Sequence, residues 1–104
     1  MAASAWPRVA ALAAADPAPT RAAAARTLGL APETVSRLCR RHGGCTWLEL
    51  VDAARLGRAE LLLRGDASLA AVAGRCGFAS AQHLIRRFRM RHGVTPEAWR
   101  RAGA

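Results

Sequence analysis

The segment QHLIRRFRMR, residues 82–91, sets an amide, an imidazole and four guanidinium groups among Leu84, Ile85 and Phe88. No carboxylate lies between Asp66 and Glu97 to balance them. Such groups recognise a partner by directed hydrogen bonds. Arginine presents a planar fork that matches guanine O6 and N7, and glutamine matches adenine N6 and N7. At about 100° per residue, Leu84 and Phe88 fall together with Ile85 beside them. His83 and Arg86 lie opposite, flanked by Gln82 and Arg87. The apolar stripe is expected to face inward and the other side to face base edges. Arg89 and Arg91 sit further round, where they suit phosphates, which fix register without carrying sequence information.

The elements that would hold this helix occur twice. Thr20 and Ser68 read as helix caps 48 residues apart, and Gly29-Leu30 and Gly77-Phe78 read as turns at the same offset. Val35 and Leu84, Cys39 and Phe88, and Gly44 and Gly93 match at an offset of 49. Each copy is a short helix, a turn made of glycine and one large apolar residue, then a longer basic helix. That is helix-turn-helix anatomy, in which the second helix enters a major groove. In the first copy the outward residues are Glu33, Thr34, Ser36, Arg37 and Arg40. Arg37 suits a guanine, and Glu33 suits a cytosine amine.

Pro7 opens a helix carrying Trp6, Val9, Leu12 and Ala13, and Pro17 and Pro19 end it. Pro32 opens the first basic helix, and Gly43-Gly44 stops it. Between the copies, Thr46 caps a helix to about Arg64, with Leu48, Val51, Leu56, Ala59 and Leu62-Leu63 stepping at three to four residues. Residues 46–64 at about 1.5 Å each span roughly 28 Å, against about 34 Å between successive major-groove faces. Pro96 begins a last short helix holding Trp99. No stretch alternates with period two, so the expected fold is all-α with about seven helices. The expected division is a first helix-turn-helix subdomain at 1–45, a linker helix at 46–64 and a second subdomain at 65–104.

Composition points the same way. The 104 residues carry a net charge of +9, and all sixteen basic residues are arginine, against seven acids. A GC-rich gene explains arginine over lysine but not the surplus, which fits a polyanionic partner. The three cysteines, Cys39, Cys45 and Cys76, are too few and odd in number for a disulfide framework, so a reducing cytoplasm is the expected location. No segment has the run of about 18–20 apolar residues that a membrane span needs.

The run RLGRAELLLRGDASLAAVAGRCGFASAQHLIRRFRMRHGVTPEAWRR holds R-L-x-x-A-x-x-L-L at Arg55 to Leu63. It continues with V-A-x-x-x-G-F at Val72 to Phe78 and F-R-x-R-x-G-V-T-P-x-x-W-R from Phe88 to Arg100. In this order and spacing the chain resembles the DNA-binding domain of AraC/XylS-type transcriptional regulators, from about Trp6 to Arg101. The resemblance implies two helix-turn-helix units joined by a long helix, with recognition helices at about 32–42 and 80–92. It implies sequence-specific binding to double-stranded DNA at promoters, often with activation through RNA polymerase. The family's base-reading positions fall on Glu33, Ser36 and Arg37, and on Gln82, His83 and Arg86. Thr20, Arg40 and Arg41 in the first unit are assigned to phosphates, as are Ser80, Arg87, Arg89 and Arg91 in the second. The chain departs from the pattern at Cys39, where a larger apolar residue is usual, at Trp99, where tyrosine is usual, and at Gly57 inside the linker. Many such regulators add a separate effector-binding domain, and these residues read as the DNA-binding part, standing alone or within a longer protein. A monomer on DNA, associated with the bacterial nucleoid, is expected unless a further domain dimerises it.

Three other chemistries fit the residues less well. Catalysis at His83 lacks a nucleophile or carboxylate beside it, so the chain reads as no enzyme and as needing no cofactor. Trp6, Trp47 and Trp99 occupy helical apolar positions and are expected in cores rather than stacked on bases. A zinc site from Cys39, His42, Cys45 and Cys76 is disfavoured, because Cys39 lies on the apolar face and Cys76 fills a turn. The alternatives from other classes are a non-specific architectural DNA-binding protein and, more weakly, a helical module that docks a partner protein. Elemental analysis of the purified protein should find no stoichiometric zinc. One bound metal per chain would overturn the reading of the cysteines.

Overall fold

The computed structural model describes residues 4–103. Among them are seven α-helices and no strand. They are α1 (Trp6–Ala13), α2 (Arg21–Leu28), α3 (Pro32–Leu38), α4 (Trp47–Leu63), α5 (Leu69–Cys76), α6 (Ala81–His92) and α7 (Pro96–Arg101). A π-helical turn, Cys39–Gly43, continues α3.

Side-chain caps start most of these helices, and each satisfies an orphan amide of the first turn. Thr20 Oγ1 accepts from the Ala23 N–H at 3.1 Å, Ser68 Oγ from Ala71 at 3.1 Å and Ser80 Oγ from His83 at 3.1 Å. Thr46 and Glu49 cap α4 reciprocally. Thr46 Oγ1 accepts from the Glu49 N–H at 3.1 Å, and Glu49 Oε1 accepts from the Thr46 N–H at 2.8 Å. Thr95 caps α7 through the Ala98 N–H at 3.2 Å, a role its sequence context did not single out.

The two matched turns close identically. Leu30 donates to the Ala25 carbonyl and Phe78 to the Ala73 carbonyl, both at 2.9 Å, while Gly29 and Gly77 donate to Arg26 and Gly74. This is the Schellman arrangement, and it needs a left-handed residue at the glycine. Gly77 has φ +86°, which calls for glycine, and a Cβ there would also crowd the Arg55 side chain, 3.1 Å from Nε.

The described residues pack as two compact units that divide between Ala54 and Arg55. Each has its own core. In the first unit Val9, Ala13, Ala24, Ala25, Val35, Cys39, Trp47 and Val51 are buried together. In the second, Leu56, Ala59, Leu63, Val72, Ala73, Cys76, Phe78, Leu84 and Phe88 are buried. The expected linker at 46–64 contributes to both, with Trp47 and Val51 in one core and Leu56, Ala59 and Leu63 in the other.

The first basic helix departs from the single helix expected at 32–42. After Leu38 it widens into the π turn, where the Gly44 N–H reaches the Arg40 carbonyl at 3.1 Å and the Cys45 N–H the Cys39 carbonyl at 3.4 Å. Packing from beyond the helix meets it here. Cys39 is buried, and the indole of Trp6 stacks on His42 with ring centroids 5.5 Å apart. A Cβ on Gly43 would stand 3.1 Å from Trp6 Cη2 and 3.2 Å from Cys45 Sγ. Of the two glycines expected to stop the helix, Gly44 supplies the left-handed exit at φ +65° and Gly43 supplies room.

The tryptophans meet their expectation unequally. Trp47 is buried, and its Nε1–H donates to the Pro19 carbonyl at 3.3 Å. Trp6 and Trp99 are half-buried at the edges of their cores.

Phe88→Ala should destabilise the second unit by about 3–5 kcal/mol, whereas Ser80→Ala should cost about 1 kcal/mol. Denaturant unfolding followed by circular dichroism reads both. A loss below about 1 kcal/mol for Phe88→Ala would contradict its place at the centre of the core.

Candidate nucleic-acid interface

In the second unit, α6 is anchored on one stripe. Leu84 and Phe88 are fully buried, and Trp99 meets the Phe88 ring edge-on at 5.4 Å. On the far side Gln82, Arg86 and Arg89 are exposed. Ser80 fixes the start of this helix and Gly93, at φ +77°, its end. The helix carries no acid. Its exposed face is therefore held rigid while its charge stays in solvent.

Other predicted residues on α6 have partners within the fold. His83 is half-buried, its ring edge-on to Phe78 at 5.2 Å between centroids. Arg87 is half-buried, with Nη1 3.9 Å from the Met90 sulfur. Arg91 lies 3.7 Å from Glu60 Oε2, and His92 Nε2 meets the same oxygen at 2.7 Å. The His92 ring also stacks on Phe88 at 4.2 Å. Glu60 thus ties the last turn of α6 to α4. Ile85, expected inward beside Leu84, is only half-buried.

In the first unit, Glu33 and Arg37 are exposed on α3, with Val35 fully buried on the inward side. Ser36 is half-buried between them, and its Oγ accepts from Arg21 Nη1 at 2.7 Å. Arg40 and Arg41 project from the π turn and are exposed. Thr20 is exposed at the start of α2, its hydroxyl already engaged as a cap.

Arg21 is a candidate that sequence reasoning missed. It stands in the first turn of α2, fifteen positions before Ser36, and lines a shallow depression with Ser36, Arg40, Thr46, Trp47 and Leu48. A helical wheel of α3 does not contain it, and its counterpart at an offset of 48 is Leu69. The cue available was the arginine directly after a capping threonine.

Not every arginine serves an outward face. Arg100 donates from Nε to the Leu63 carbonyl at 2.9 Å and from Nη2 to the Ala67 carbonyl at 2.7 Å. It closes the C-terminal end of α4, where unpaired carbonyls favour a cation.

Among the described residues, no group of three histidine, cysteine or acidic side chains stands close enough to hold a metal ion. Burial, and secondarily Cys45 nearby, raises the Cys39 thiol above its ordinary pKa, and burial with Glu49 raises Cys45. Both shifts favour the protonated thiol over a metal-binding thiolate. Nor is any helix among the described residues long and apolar enough to cross a membrane.

A family model described as a helix-turn-helix domain matches residues 24–102. The DNA-binding domain of AdpA, a global transcriptional factor whose crystal structure holds a target DNA, superposes with a TM-score of 0.82 at 30% identity. That match covers 96% of this chain and 93% of that one. A regulator with an AraC-type DNA-binding domain from Chromobacterium violaceum gives a TM-score of 0.78 at 24% identity, covering 89% and 84%, a likeness of fold. The HTH-type transcriptional regulator YpdC of Escherichia coli (strain K12) is 33% identical over 78 residues, 74% of this chain. The chain spans 27% of the length of that relative.

Exposed charge that serves the fold weakly should be removable. Arg37→Ala and Arg86→Ala should each change the unfolding free energy by less than about 0.5 kcal/mol. A thermal shift that reveals a loss of more than about 1 kcal/mol for either would mark it as structural.

Proposed function

Because this chain belongs to the helix-turn-helix family of AraC-type DNA-binding domains, we propose that it is a sequence-specific, double-stranded DNA-binding transcriptional regulator. The observation that carries this reading is the division of α6: Leu84 and Phe88 at 0% exposure on one side, Gln82, Arg86 and Arg89 in solvent on the other. Likeness to the AdpA domain, which was solved with its target DNA, supports it.

Under this proposal the recognition helices at about 32–42 and 80–92 enter adjacent major grooves. The functional division is 1–45, 46–64 and 65–104. Arg37 and Arg86 read guanine, Gln82 reads adenine and Glu33 accepts from a cytosine amine. Ser36 acts together with Arg21, which its hydroxyl orients. His83, braced by Phe78, presents the rest of its ring to the groove. Thr20, Arg40, Arg41, Ser80, Arg87, Arg89 and Arg91 serve the phosphates, through side chains or the amides at capped helix starts. One chain reads an asymmetric site as a monomer. Contact with RNA polymerase, activation, action in the cytoplasm and the absence of any catalytic role belong to the same proposal, by the family resemblance.

A non-specific architectural protein would share the salt-sensitive binding that arginine–phosphate contacts bring. Selection from random duplex DNA separates the two. A specific binder should return two sequence blocks about one helical turn apart and prefer them over random DNA by about 10³ or more. On that site Arg86→Ala and Arg37→Ala should each cost about 1–3 kcal/mol and relax base preference, while Arg89→Ala should weaken all sequences alike. Equal loss on specific and random DNA for Arg86→Ala would remove it from base reading.

A further inference from the structure

On α6, Gln82, Arg86 and Met90 follow one another at intervals of four, and Ile85 and Arg89 form the neighbouring row. Residues four apart lie one above the other on a helix. The two rows therefore run side by side, and these five side chains line a single shallow concavity. Two of its walls are hydrocarbon. Met90 is 71% exposed, an unusual position for a large apolar residue, and Ile85 is half-buried. Three walls are polar groups that bond to base edges or phosphates. Arg87 Nη1 approaches the Met90 sulfur at 3.9 Å and limits where the thioether can swing.

Packing within the unit does not account for Met90, which lies outside both the buried core and the partly buried residues set against it. The Arg87 Nη1 contact to its sulfur is long, at 3.9 Å, and leaves Met90 71% exposed. What an apolar spot between base-reading donors fits is the one apolar group on the major-groove edge, the C5 methyl of thymine. Positive charge from Arg86 and Arg89 brings the polyanion close enough for that contact.

We propose that Ile85 and Met90 form a subsite for a thymine C5 methyl, beside the base read by Arg86. The inference rests on the DNA-binding function proposed above and adds a specificity element to it. Arg89 and Arg86 set the depth of the helix in the groove, and the methyl fills the depression between the rows. A thymine is thereby preferred over cytosine by contact with carbon, in addition to any hydrogen bond at that step. Burying one methyl is worth about a fourfold change in affinity.

The test uses the duplex returned by selection, with each thymine in turn replaced by deoxyuridine. Uracil lacks only the methyl and keeps every hydrogen-bonding group. We expect one position within the block read by α6 to lose about threefold to fivefold in affinity. In Met90→Ala, whose exposed side chain leaves the core untouched, thymine and uracil duplexes should bind nearly alike. Ile85→Ala should blunt the difference in the same way. A selected site that is indifferent to uracil everywhere in that block overturns this inference and leaves the DNA-binding reading standing. So does a uracil penalty that survives undiminished in Met90→Ala. If Met90→Ala binds all duplexes as the parent does, the concavity is open to a protein occupant instead, and the subsite is again overturned. Failure to select any site overturns both readings together.

Discussion

The burial of Leu84 and Phe88 on a single stripe of α6 is the constraint from which the rest of the second unit follows. A helix with one apolar stripe can bury that stripe and nothing else. Gln82, Arg86 and Arg89 are then held outward, because the helix cannot roll without exposing Phe88. Trp99 and His92 press on the same ring from two directions. Glu60, set against His92, pins the last turn. A firmly packed helix whose exposed side carries no acid presents its donors from a fixed backbone.

The first unit reaches the same plan by different means. Its core is built from small residues, with alanines on α2, Val35 and Cys39, and Trp47 as the large member. The second core instead holds the larger Leu56, Leu63, Phe78, Leu84 and Phe88. Trp6 stacks on His42 at the rim, and Gly43 admits the indole. The π turn lies among these contacts. Its wider ring places Arg40, Arg41 and His42 in solvent while Cys39 remains in the core. Such turns interrupt helices where packing or function outweighs ideal hydrogen bonding.

Charge alone is a blunt guide to the interface. Arg100 commits its donors to the Leu63 carbonyl that ends α4 and to the Ala67 carbonyl beyond it, and Arg55 covers Gly77. Arg91 is drawn toward Glu60. The arginines left in solvent on α3, the π turn and α6 are a subset of the sixteen in the chain. Their grouping on two equivalent helices, more than the net charge of +9, gives the surplus its meaning.

Much of this was legible in the order of residues. Capping by Thr20, Thr46, Ser68 and Ser80, the exits at Gly44 and Gly93, and the paired turns at Gly29-Leu30 and Gly77-Phe78 are each written within a few positions. The forces involved act between a residue and its third or fourth neighbour, so the sequence determined the helices, their matched arrangement and the inward stripe of Leu84 and Phe88. Only tertiary packing decided what joins residues far apart in the chain. It set Arg21 on Ser36, Glu60 on His92 and Arg100 on Leu63, fifteen, thirty-two and thirty-seven positions away. It opened the π turn, drew His83 to Phe78 and left Met90 in solvent. The physical reason is that a helical period fixes which side of a helix a residue occupies, whereas exposure depends on what another element brings against that side.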